Sequence, residues 1–215
     1  MATDAQGTND YVVEQGDCLE SIAYRHGLFW QTIWDHPNNA TLKAKRENPN
    51  LLCPGDVVFI PDKAAKFESG ATEMKHRFVR KGVPSKLRLR ILDDDVPRAD
   101  ERYTLVIDGK LFTGVTDRDG RIEHSIDPDA RSGKLLVGEN QDEYPLCLGH
   151  LDPVEEISGV QARLNNLGFD CGPVDGLLNE RTHAALKRFQ QAQGLEPSEK
   201  PDAVTREKLK EFYGC

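Results

Sequence analysis

Two stretches of this 215-residue sequence repeat one pattern: NERTHAALKRF at residues 179–189 and DAVTREKLKEF at 202–212. Aligned at a constant offset, Asn179 falls on Asp202, Thr182 on Thr205, Leu186 on Leu209 and Phe189 on Phe212. In each copy an Asx residue suited to an N-cap precedes Thr by three positions, and Leu and Phe follow at helical spacing. The pattern predicts two helices, each burying its Leu and Phe on one stripe. Two such helices cannot bury both stripes alone. They need a first helix, supplied by Val160, Leu164 and Leu167, so the segment from Val154 onward reads as a three-helix bundle.

The period changes upstream. Leu87, Leu89 and Ile91 alternate with Lys86, Arg88 and Arg90, as in a half-buried strand, and Tyr103, Leu105 and Ile107 repeat the alternation. Asp108-Gly109 is a hairpin signal, TDRDG at 116–120 is a turn, and Ile122–Ile126 and KLLVG at 134–138 are further strands. Strands at this spacing predict a small β-sandwich over 76–150. Residues 62–75 are small and polar and read as a linker.

The front reads strand, helix, helix, strand over 11–61, after an N-terminus (1–10) expected to be disordered. Tyr11–Val13 begin a strand that Gly16-Asp17 turns. Leu19, Ile22, Ala23 and Tyr24 share one helical face that Gly27 ends. A second helical stretch runs through Ala40, Leu42 and Arg46; Pro54-Gly55-Asp56 turn the chain into a last strand, Val57–Ile60. The fold class is therefore multidomain α+β, with a βααβ unit, a sandwich and a helical bundle in that order.

Composition excludes several functions. A net charge of −8 argues against general nucleic-acid binding, which needs clustered Lys and Arg. No apolar run approaches the ~20 residues of a membrane helix. The opening MATDAQGTND has neither the basic nor the apolar region of a secretory signal, so cytoplasmic synthesis is expected, with any export by another route. No catalytic motif is present, so no enzyme and no cofactor are expected. The six histidines are scattered without zinc-ligand spacing, and Asp93–Asp95 and Asp117-x-Asp119-Gly120 do not complete a calcium loop; no metal is expected. Cys18 lacks the surroundings of a catalytic thiol. Trp30 and Trp34, four apart, serve either as sugar-stacking rings or as core anchors.

The residues QGDCLESIA and NPNLLCPGDVVFIP, in this order, resemble the LysM module over 11–61, with Cys18 where Thr is usual and an additional FWQTIWDHPNNA. That resemblance implies binding of a β-1,4-linked N-acetylglucosamine chain, in a groove between Gly16, Asp17, Cys18 and Leu19 on one side and Asn48, Pro49, Asn50, Leu51 and Leu52 on the other. Turn backbones would meet the acetamido and hydroxyl groups, and Leu19, Leu51 and Leu52 the apolar ring face. Alternatively the turns are scaffold alone, and the groove has lost its ligand or taken a protein one. RADERYTLVIDGKLFTGVTDRDGRIEHSI looks like a transthyretin-like sandwich. QARLNNLGF, GPVDG and RTHAALKRFQ resemble the three-helix peptidoglycan-binding domain over 154–215, which implies a site at Asp175, Gly176, Arg181, Thr182, Phe189 and Gln190.

The whole combination is similar to LysM and peptidoglycan-binding proteins associated with type VI secretion. It implies a non-catalytic adaptor for peptidoglycan or a chitin-like glycan, delivered to the periplasm or a target envelope. Two readings stand beside it: a spike or baseplate component that binds a VgrG-type spike protein or a secreted effector, and the targeting subunit of a cell-wall hydrolase. Cys171 follows the first bundle helix and Cys215 follows the last, so a Cys171–Cys215 disulfide is expected in an oxidising compartment, with Cys18–Cys53 as a second pair across the front turns. Reduced thiols are the alternative in the cytoplasm.

Overall fold

The computed structural model describes residues 9–63, 69–70, 72–76, 85–93 and 96–214. The described residues divide into two compact units, and the division runs through the front segment: those within 1–11, 19–39 and 58–148 form the first, those within 12–18, 40–57 and 149–215 the second. Strands β1 (Asp10–Val12) and β2 (Val57–Phe59), which form a two-stranded sheet, lie on this line. The linker residues 64–68 and 71, and much of 1–10, lie outside the described residues, as do Asp94, Asp95 and Cys215.

In the first unit, α1 (Leu19–His26) buries Leu19, Ile22 and Ala23, but Tyr24 is exposed. At 100° per residue Tyr24 lies a full step beyond Ala23, off the apolar stripe. The FWQTIWDHPNNA segment forms α2 (Trp30–Trp34) and a 3₁₀ turn, Pro37–Asn39. Trp34 is buried at 7% exposure beside Ile33, which gives it the core-anchor role; Trp30 is half-buried. Asn39 is the polar pin of this region. Its Nδ2 donates to Ile33 O and Phe59 O, and its Oδ1 accepts from Phe59 N, each at 2.8 Å. The side-chain amide thereby substitutes for a strand partner at the backbone of β2.

The sandwich sheets follow. A four-stranded antiparallel sheet runs β10-β9-β6-β7, from β6 (Arg102–Ile107), β7 (Lys110–Val115), β9 (Ser132–Val137) and β10 (Asp142–Cys147). β3 (Ser85–Arg90) pairs with β8 (Arg121–Ile126), and β4 (Leu92–Asp93) with β5 (Val96–Pro97). Tyr103, Leu105, Ile107, Ile122, Leu135 and Val137 form one core, flanked by Leu87, Leu89 and Phe112. Asp108-Gly109, both at positive φ, make the tight β6–β7 turn. The TDRDG turn is closed by Asp117 Oδ1, which accepts from Asp119 N and Arg121 N, both at 2.8 Å. Strand β10 escapes the sequence reading because it is largely exposed and holds Pro145, which suits an edge.

In the second unit, α3 (Ala40–Lys45) leads into the 46–56 loop, and α4 (Ile157–Asn166), α5 (Glu180–Ala192) and α6 (Ala203–Tyr213) follow. Helix α4 packs against both α5 and α6. Val160, Leu164, Cys171, Ala185, Leu186, Phe189 and Leu209 form the core, with Phe169 set edge-on to Phe189 at 5.4 Å. The caps are as the repeat predicts: Asn179 accepts from Thr182 N and Asp202 from Thr205 N. The repeat fails at one position. Phe189 is fully buried, but Phe212 is 51% exposed, with Lys208 Nζ 5.2 Å from its ring centre. Only Thr205 and Leu209 of α6 are buried, so the stripe that α4 covers ends before Phe212.

Candidate functional site

In the bundle, Gln161 fixes the loop that precedes α5. Its Nε2 reaches Asp175 Oδ1, Leu177 O and Thr182 Oγ1 at 2.9–3.1 Å. Its Oε1 accepts from Asp175 N and Gly176 N at 3.1 and 2.8 Å. Gln161 is fully buried, so these bonds replace those that water would have made. Gln190 repeats the device before α6. Its Nε2 reaches Ser198 Oγ, Lys200 O and Thr205 Oγ1 at 2.9–3.0 Å, and its Oε1 accepts from Glu199 N at 3.0 Å.

This arrangement divides the expected site residues. Thr182, Phe189 and Gln190 are fully buried: Thr182 donates its amide to the Asn179 cap, Phe189 fills the core and Gln190 is a pin. They support a binding surface rather than form one. Asp175, Gly176 and Arg181 lie on the loop face. The Asp175 carboxylate is held below its usual range by the Gln161 side chain and then by the Leu177 amide. Arg181 donates to Asp170 Oδ2 at 2.9 Å, and Arg188 to Asp170 O at 2.8 Å. Sequence reasoning missed the apolar part of this face. Val174 (49%), Leu177 (64%) and Leu178 (43%) are exposed, though their loop is pinned from beneath. Exposed apolar side chains on a fixed backbone suit a ligand with methyl or ring faces. The sequence signal was GPVDGLL itself, three aliphatics in a turn-rich stretch.

The front turns prove to be two copies of one device. Asp17 N donates to Glu14 O at 3.0 Å while Asp17 Oδ2 accepts from Glu14 N at 3.1 Å. Asp56 N donates to Cys53 O at 3.0 Å while Asp56 Oδ2 accepts from Cys53 N at 2.9 Å. Gly16 (φ 86°) and Gly55 (φ 88°) supply the left-handed residue each turn requires. The Asp side chains thus serve the turns, at 2% and 5% exposure. Leu19 (0%) and Leu52 (4%) are core residues and cannot present a face to a sugar ring. Of the expected groove, Asn50 is exposed and Cys18, Asn48, Pro49 and Leu51 are half-buried.

Cys18, Cys53, Cys147 and Cys171 are thiols; no disulfide joins Cys18 to Cys53. Cys171 turns inward, its Sγ 3.4 Å from Gln161 O and 3.2 Å from Asn165 Oδ1, and its expected partner Cys215 lies outside the described residues. Burial pushes the Cys53 thiol up to about 11, against the opposing pull of Arg46, which is the reverse of an activated nucleophile. Among the described residues no His, Cys, Asp and Glu cluster could hold a metal ion, and no helix is long and apolar enough to cross a membrane.

No curated protein and no solved structure matches the chain. Residues 154–209 match the family model described as "Putative peptidoglycan binding domain", so the C-terminal part of this α+β chain, the part that carries the pinned loop, is a helical segment of peptidoglycan-binding type.

Proposed function

We propose that this chain is a non-catalytic adaptor that holds peptidoglycan on the 173–181 face of its C-terminal helical domain. The observation that carries this reading is the family match over 154–209, which includes both the Gln161 pin and the exposed Val174, Leu177 and Leu178. Lactyl and alanyl methyls of the wall polymer would lie on the aliphatic side chains, and stem-peptide carboxylates near Arg181 and Arg188. The test is sedimentation of the full chain with insoluble peptidoglycan. Leu177→Asp with Leu178→Asp should leave the protein folded and in the supernatant; co-sedimentation equal to wild type would refute the assignment of this face.

A second reading is favoured by the front turns, where Gly16, Asp17, Leu19 and Leu52 are buried. In it the front segment is a protein-interaction element of a contractile injection machine of the type VI kind, and the C-terminal domain alone meets the wall during delivery to an envelope. Co-purification with a spike-tip protein, together with indifference to chitooligosaccharides, would distinguish it from a two-site glycan binder.

A further inference from the structure

We propose that the face of the two front turns is an intramolecular docking surface, and that its occupant is the chain's own segment 149–158, held by a pair of crossed ionic contacts. All the groups concerned lie within the second unit. At one end the backbones touch: a Cβ on Gly149 would stand 2.3 Å from Gly16 O, and Gly149 has φ 76°. Only a residue without a side chain brings the chain this close to the turn.

At the other end the contacts are ionic. Arg46 Nη1 lies 3.7 Å from Glu156 Oε1, and Cys53 Sγ lies 3.9 Å from the same oxygen. Lys210 Nζ lies 3.4 Å from Glu47 Oε2 and 3.3 Å from Glu155 Oε1. The front segment therefore offers a cation, Arg46, and next to it an anion, Glu47. The segment 149–158 offers the matching anion, Glu156, and its Glu155 holds the matching cation, Lys210 of α6. Two pairs of opposite sense are satisfied together in one orientation and become like-charge contacts in the reverse one, so they set register as well as attraction. Between them lies a polar recess of about 400 Å³, lined by Lys45, Arg46 and Asp56 on one side and Asp152, Glu156 and Ser158 on the other. The pairs are largely exposed on the Glu side, with Glu47 86% and Glu156 50% exposed, so each is weak and open to salt. The arrangement is a releasable clasp rather than a weld. While it is closed, the turn carrying Gly16 is covered by the chain itself.

The test is hydrogen exchange on the full chain. Lys210→Glu with Glu156→Lys should speed exchange of the amides in 12–18 and 48–56 at least tenfold, and 0.5 M salt should move wild type the same way. Amides of the bundle core, at Leu164 and Phe189, should not change. Pairing Lys210→Glu with Glu47→Lys, which restores one contact with reversed sign, should recover part of the protection. Unchanged exchange in 12–18 and 48–56 would overturn the proposal. So would equal acceleration in the bundle core, which signals general destabilisation. Resonance shifts confined to 16–19 and 48–52 when chitotetraose is added to wild type would also overturn it, because the turns would then already be open. Wall sedimentation of the same variants reports separately on the 173–181 face and does not bear on the clasp.

Discussion

Arg46 holds Asp56 at two points, Nε to Oδ2 at 2.8 Å and Nη2 to Oδ1 at 3.3 Å, with only 6% and 3% of the two side chains exposed. The same carboxylate receives the Cys53 amide and Lys45 Nζ, so it closes the second Gly-Asp turn and anchors the end of α3 at once. Arg46→Ala leaves this carboxylate buried with one largely exposed cation beside it. The expected loss is about 3–5 kcal/mol of unfolding free energy, the usual cost of breaking a buried pair from one side. Denaturant titration measures it, and a loss under about 1 kcal/mol would mean that the pair is solvated.

Acid should act through the same carboxylate. Burial alone would raise the Asp56 carboxyl; the Arg46 guanidinium, the Cys53 amide and Lys45 outweigh it and hold it below its usual range. A depressed carboxyl contributes stability above its unfolded value, about 3.9, and that contribution is lost as pH falls through the folded value. Stability should therefore decline below about pH 4, and Asp56→Asn, though less stable at pH 7, should decline less steeply. Equal slopes for the two proteins between pH 5 and 2 would remove Asp56 from the account.

The two buried glutamines should separate stability from binding. Gln161→Leu and Gln190→Leu each strip several backbone and side-chain groups of their partners, at about 1–3 kcal/mol for each group left unsatisfied. Both variants should lose stability on that order. Only Gln161 pins the 175–177 turn beside the exposed Leu177 and Leu178, so wall binding by the folded fraction should fall for Gln161→Leu and persist for Gln190→Leu. Similar binding by both would detach the loop from the ligand.

Legibility in the sequence followed burial and periodicity. The caps Asn179 and Asp202 and the alternation through β3 and β6 were readable because each depends on local spacing. Phe212 was not, because a repeat fixes the face a residue points to but not whether a neighbour reaches it. Asn39, Gln161 and Gln190 were misread or passed over for one reason: a lone amide has no pattern, and its value lies in backbone groups distant in sequence. The buried Leu19 and Leu52 show the converse. Motif position placed them at a groove, whereas apolar spacing placed Leu19 on the inward face of α1, and the spacing prevailed.

The thiols give the last prediction. Cys147 is exposed at the end of β10, Cys53 is half-buried with its thiol raised to about 11, and Cys171 is wholly buried in the bundle core. Only the thiolate attacks an alkylating reagent. At pH 8 a thiol of pKa about 11 is ionised to roughly one part in a thousand, against about a quarter for an ordinary thiol near 8.5. Under native conditions the exposed Cys147 should be alkylated first, and Cys53, half-buried and almost wholly protonated at that pH, far more slowly. Cys171 has two barriers, burial and a raised thiol, and its Sγ faces Gln161 O and Asn165 Oδ1 within the core. It should react only at the rate of unfolding and become labelled at once in denaturant. Peptide mass mapping of a time course reads all of these in one experiment. Labelling of Cys171 at a rate close to that of Cys147, without denaturant, would show that the bundle opens there and would restore the case for its oxidation with a residue outside the core.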